Sequence, residues 1–235
     1  KRFEFRLRRI ACVMNRCLLI LLLSAMIVGM TGNESRAQGA PADREVDRSI
    51  VRALKYLAAQ QQRSGAWQLQ NASRGQDAAS TTSLAIMAFL AAGHVPGEGP
   101  YGEALERGIR WVLSNQRPED GLFIHRAGSG PMYTHGICTL MLAEVAGMVD
   151  ASLSDRVRKS LEQAIRLILQ AQDVPKGHRH AGGWRYHASS NDSDLSVTGW
   201  QLLALRAAKN IGCDVPAESI ENAVSYVKRC ADRNG

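Results

Sequence analysis

Two carboxylates stand two residues apart in Asn191-Asp192-Ser193-Asp194-Leu195, directly before a long apolar stretch. Aspartates in that position fit two kinds of chemistry. One of them can cap the helix that begins at Leu195, its oxygen accepting the unpaired N–H groups of the first turn. The pair can also act as an acid site, if burial and a neighbouring carboxylate keep Asp194 protonated for transfer to a substrate. A second constellation is Tyr133-x-His135-x-x-Cys138, which sets an imidazole and a thiol one helical turn apart on a shared face. His135 and Cys138 can form a core pair, a packed cysteine beside a hydrogen-bonded histidine. The spacing alone supports the core pair, so no metal ligand is assigned. His178, His180 and His187 flank Gly182-Gly183 among glycine, arginine and serine, the composition of a solvated loop. Tyr133, His135 and Trp200 are the candidate ligand-binding side chains, because all three fall near the starts of apolar helices.

The elements that must position these groups follow from periodicity. From Val46 onward apolar residues recur at three and four: Ile50, Ala53, Leu54 and Leu57; then Leu105, Ile109, Val112 and Leu113; then Leu161, Ile165, Ile168 and Leu169; then Ile220, Val224 and Val227. No stretch alternates long enough for a strand, so the fold class is all-α. The stripes also repeat as units. Ala53-Leu54-Lys55-Tyr56-Leu57, Gly108-Ile109-Arg110-Trp111-Val112, Ala164-Ile165-Arg166-Leu167-Ile168 and Ala223-Val224-Ser225-Tyr226-Val227 stand 55, 56 and 59 residues apart. The first three precede Gln61, Gln116 and Gln172, and each glutamine is followed by glycine-x-aromatic: Gly65 and Trp67, Gly121 and Phe123, Gly182 and Trp184. Glycine ends a helix in the left-handed conformation, and the aromatic then folds back between helices. Between the amphipathic helices lie three of another kind, Ala78–Gly93, Tyr133–Gly147 and Leu195–Asn210, rich in Ala, Leu and Met. Helices apolar on nearly every side are buried from all sides. The pattern therefore predicts amphipathic helices outside and apolar helices inside, with Leu84, Leu140 and Leu203 turned from water.

Composition sets the outer bounds. The chain has 235 residues, 45% of them hydrophobic and 22% charged, which excludes collagen-like and disulfide-dense classes. Its net charge of +7 invites a polyanion partner, but residues 1–37 hold seven basic and two acidic residues, leaving 22 basic against 20 acidic elsewhere. A nucleic-acid-binding body is thereby disfavoured. In that leader Met14-Asn15-Arg16 precedes an apolar run at residues 17–30 and a small-residue exit at Ser35-Arg36-Ala37. This is the form of a secretory signal peptide cleaved near Ala37, with a run shorter than the ~20 residues a bilayer-spanning helix needs. Membrane contact is expected only through an uncleaved leader, residues 38–44 read as a linker, and residues 45–235 as the repeat domain. Export leaves Cys138, Cys213 and Cys230, an odd number expected as buried free thiols.

Gln61-x-x-x-Gly65-x-Trp67 and its two looser copies resemble the glutamine–tryptophan repeat of squalene–hopene cyclases. Region 45–235 is similar to the α/α-toroid superfamily, which also includes protein prenyltransferase β-subunits, and above all to exported bacterial prenyltransferase/squalene-oxidase repeat proteins. Gly182-Gly183-Trp184-Arg185-Tyr186 through Asp194–Gln201 carries the likeness most distinctly. The resemblance implies a toroid of helical hairpins, here an incomplete ring of three hairpins and one helix, truncated at its C-terminus. It implies an exported protein that holds an apolar, isoprenoid-like or extended ligand, or a protein or peptide partner, in a concave cavity, with no cofactor. It also implies two enzymatic alternatives. Class II cyclases carry Asp-x-Asp-Asp, whose middle aspartic acid protonates an alkene; Asp192 and Asp194 match its first two acids, and Leu195 replaces the last. Prenyltransferases bind zinc through an Asp, a Cys and a His, a set that Asp194, Cys138 and His135 match in type but not in spacing.

Overall fold

A computed structural model describes residues 41–68, 77–125 and 130–231. The leader, and with it the expected signal peptide and cleavage point, lies outside the described residues. The chain divides into two compact units at Asp47/Arg48, and the second, Arg48–Gly235, holds every described helix after the first. Among the described residues the protein is all-α: α1 (Pro41–Gln60), α2 (Ala78–Ala91), α3 (Gly102–Leu113), α4 (Pro131–Val145), α5 (Ala151–Asp173), α6 (Leu195–Asn210) and α7 (Ala217–Cys230). One 3₁₀ turn at Gly99–Tyr101 leads into α3. The stretch expected as a linker already enters α1 at Pro41.

Local sequence explains where the helices start. Asp77 caps α2 by accepting the Ala79 N–H, Asp150 caps α5 through Leu153, and Asp194 caps α6 through Ser196 and Val197. Helix α4 has no side-chain cap and opens instead on Pro131, whose missing N–H leaves nothing to satisfy. The apolar helices α2, α4 and α6 lie side by side, α4 between the other two, and the amphipathic α3, α5 and α7 each pack on the apolar helix that precedes them.

One device, used three times, ties the rows together. The Gln61 carboxamide donates to Gly65 O (3.0 Å) and to Ala104 O of α3 (2.8 Å). Gln116 donates to Gly121 O and Ser160 O of α5 at 3.0 and 2.9 Å, and Gln172 to Gly182 O and Ser219 O of α7 at 2.8 and 2.9 Å. Each glutamine thus fastens its own glycine turn to the next amphipathic helix. The turn lies so close that a Cβ on Gly65 would sit 2.4 Å from Arg107 O, and one on Gly182 2.3 Å from Asn222 O. With φ near +98° and +85° as well, only glycine fits. Trp67, Phe123 and Trp184 follow and are buried. The two indole N–H groups donate to Leu57 O (2.7 Å) and Ile168 O (2.8 Å).

Burial of the apolar row differs from the sequence expectation. Helix α4 is buried along nearly its whole length, with Leu140 partly so, but Leu84 on α2 is 43% exposed and Leu203 on α6 is 53% exposed. The apolar composition is the same in all three; what differs is the neighbours. Helix α4 has α2 on one side and α6 on the other, whereas no described helix covers the far faces of α2 and α6. The α1 stripe departs likewise: Leu54 is buried, while Ile50 and Ala53 are exposed. Nor are the thiols uniformly buried, since Cys138 is enclosed, Cys213 half-buried and Cys230 exposed at the end of α7.

Candidate functional site

The starts of α4 and α6 meet in a polar and aromatic cluster. Asp194 Oδ1 accepts the N–H groups of Ser196 (2.9 Å) and Val197 (3.0 Å), which is the cap, and also the Ser196 hydroxyl at 2.6 Å. The Tyr133 hydroxyl is hydrogen-bonded to Ser196 Oγ, and its ring lies 6.0 Å from that of Tyr186. The Arg185 guanidinium sits 4.6 Å over the Tyr186 ring while its Nε approaches Asp192 Oδ2 at 3.5 Å. Tyr133, Asp192 and Asp194 are therefore drawn into one neighbourhood by Ser196, Arg185 and Tyr186. The Ser196 hydroxyl holds the Asp194 carboxyl below the usual carboxylate range, outweighing the upward push of burial, and the capped Val197 and Ser196 N–H groups add smaller downward contributions. The group is an ionised cap. Alkene protonation requires the reverse, a carboxyl held neutral by desolvation.

His135 does not join this cluster. It is fully buried behind α4, where Nδ1 accepts the Phe123 N–H (3.2 Å) and Nε2 pairs with Ala164 O (3.1 Å). Burial pushes its pKa down to about 4, so the ring is neutral and both nitrogens are engaged inside the fold. Cys138 lies further along α4, its sulfur accepting the Ser83 hydroxyl at 3.3 Å, and burial pushes the thiol up to about 12. A protonated, enclosed thiol is neither a nucleophile nor a metal ligand at neutral pH. Among the described residues no three His, Cys, Asp or Glu side chains are grouped to hold a metal ion. His180, from the glycine loop, accepts the Ser193 N–H on Nδ1 (3.2 Å) and the Ser193 hydroxyl on its carbonyl (2.7 Å), anchoring the loop before α6. Trp200 is half-buried on α6, one turn on from Ser196.

The space for a ligand lies elsewhere. Between the end of α1 and the open face of α2 is a cleft of about 720 Å³. Leu57, Leu84, Ala85 and Ala88 supply its apolar walls, and the carboxamides of Gln60, Gln62 and Gln68 stand among them. Among the described residues no charged side chain lines it. That volume is in the range of small-molecule sites, and apolar walls with a few neutral polar groups are their usual chemistry. None of the five candidate residues lines this cleft. Leu84 and Ala88 escaped notice because their helix reads as uniformly apolar, and nothing local marks which of its faces is left uncovered. Ser196, Arg185 and Tyr186 stand in or beside the most distinctive sequence stretch, but their meeting with Tyr133 depends on α4 and α6 being neighbours.

No protein-family model matches the chain, and no curated protein matches it. The likeness to the α/α-toroid superfamily therefore rests on the repeated glutamine, glycine and aromatic residues themselves.

Proposed function

We propose that this is an exported repeat protein of α/α-toroid type that holds a neutral, apolar or extended ligand without transforming it. The observation that carries the reading is the cleft between α1 and α2: apolar walls, interspersed carboxamides and, among the described residues, no charge. A diphosphate-bearing substrate would demand cationic side chains there, which disfavours a prenyltransferase-like role. Carbocation chemistry would call for a neutral acid beside an aromatic lining; Tyr56 and Trp67 line the cleft, but Asp194 is an ionised cap in a cluster away from its walls. Fold likeness alone decides nothing here, since one architecture hosts unrelated functions.

Extraction of natively purified protein followed by mass spectrometry tests the proposal. The expected result is a co-purifying neutral apolar molecule that Leu84→Glu abolishes and Asp194→Asn leaves in place. Turnover of a polyene that depends on Asp194 would replace binding with cyclase chemistry. A peptide captured in the same Leu84-dependent way would retain the site and change the ligand.

A further inference from the structure

The three glycine-x-aromatic turns share the glutamine clamp but differ in what accepts the aromatic residue's backbone N–H. The Trp67 N–H donates to Thr82 Oγ1 at 2.9 Å and the Trp184 N–H to Thr198 Oγ1 at 3.0 Å. At the same place in the middle repeat the Phe123 N–H donates to His135 Nδ1. A threonine hydroxyl accepts at any pH. A histidine nitrogen accepts only while it carries a lone pair, and here the other nitrogen, Nε2, faces the Ala164 carbonyl and so holds the single ring proton. A second proton has only Nδ1 to go to, and there it would point at the Phe123 N–H, donor against donor, between two fully buried residues. The middle turn keeps its Gln116 clamp on Gly121 O and the Ile124 N–H bond to Asn115 O, but Phe123 itself lacks the indole N–H that holds Trp67 and Trp184 to the preceding helix.

We propose that His135 makes the middle turn of the array an acid-sensitive joint, its protonation removing the acceptor of the Phe123 N–H and releasing the Gly121–Phe123 plug, while the threonine-anchored turns on either side hold. The charged groups around the ring do little to offset this. Asp120, from the same turn, acts on His135 from a distance and is itself paired with Arg117 (3.0 Å). Helix α5 presents the Ala164 carbonyl, and on α4 the neighbouring ionisable groups are the Tyr133 hydroxyl, hydrogen-bonded to Ser196, and the protonated Cys138 thiol. Because the enclosed ring titrates near 4 and a released one near the solution value of about 6.5, closure is fully supported above pH 6.5 and is lost as the pH falls toward 4. The opening equilibrium of the turn then rises about fifty-fold between pH 7 and pH 4.5. This inference stands on the fold and is independent of what the cleft binds.

Amide hydrogen exchange of the whole chain, corrected for the intrinsic pH dependence of exchange, reads the joint directly. The expected result is protection lost at residues 121–125 as the pH drops from 7 to 4.5, with the Trp67 and Trp184 turns unchanged. His135→Thr, which installs the anchor of the other two repeats, is expected to remove that loss. Protection at residues 121–125 that does not depend on pH, or a loss that persists in His135→Thr, overturns the proposal. An NMR titration of His135 in the unaltered protein gives a check that needs no variant. A ring that titrates near 6.5 while the Phe123 amide stays protected also overturns it.

Discussion

Helices α4 and α6 are built to the same register and live in different surroundings. Aligned on the anchors His135 and Thr198, Met132 corresponds to Leu195, Gly136 to Gly199 and Leu140 to Leu203. Met132 is fully buried and Leu195 is 48% exposed. Helix α2 shows the converse on its other face: Leu84, 43% exposed, corresponds to Ile137, which is buried. The polar pairings repeat in step with this. Ser83 meets Cys138 between α2 and α4, and a Cβ on Gly136 would collide with Gln201 between α4 and α6. A side chain's burial in such an array is a property of its place in the row, and the same leucine is core in the middle and surface at either end.

Substitutions at matched positions can break that comparison. Ile137→Asp is expected to have the largest effect, unfolding the chain by leaving a carboxylate unpaired in the core, a loss of at least ~3 kcal/mol. Leu84→Asp, at the matching position, should cost less than about 1 kcal/mol. Equal losses in urea unfolding would show that the two faces do not differ. Next is acid: a neutral imidazole held near 4 against about 6.5 when unfolded withdraws roughly 3 kcal/mol as the pH falls from 6.5 to 4. His135→Thr should flatten that part of the stability–pH curve, measured by chemical denaturation at each pH.

The glutamine clamps sharpen the picture further. Gln116→Ala leaves the Gly121 and Ser160 carbonyls without a donor and is expected to cost ~1–3 kcal/mol, the higher end if water cannot enter. Asp194→Ala removes the α6 cap for about 1 kcal/mol, read as loss of helicity and a lower Tm. The smallest effect belongs to Leu203→Ser, within about 0.5 kcal/mol, since that side chain is already in water. A large loss there would mean that the α6 face is covered in solution.

Much of the framework is legible in the primary structure because it is local. Three-and-four periodicity gives the helices, and recurrence of glutamine with glycine-x-aromatic gives the turns. Asp77, Asp150 and Asp194 sit where helix starts need acceptors. The site was legible only in part. The sequence favours a cap at Asp194 but leaves an acid role open until its partners are known, and those partners, Ser196 and Tyr133, are separated by 63 residues. His135 beside Cys138 suggests a functional pair by type, yet each turns to a different neighbour, Phe123 and Ala164 for one and Ser83 for the other.

By itself the chain determined which segments are helical, where they stop and that they recur, since backbone sterics, capping and amphipathic spacing act over a few residues. Only tertiary packing decided that glutamines four, five and ten positions before their glycines close the same clamp. It also decided that one histidine stands in for a threonine, and that Leu84 borders a cleft while Ile137 is core. The reason is physical: covering a surface takes a second surface, and which two meet is fixed by contacts tens of residues apart.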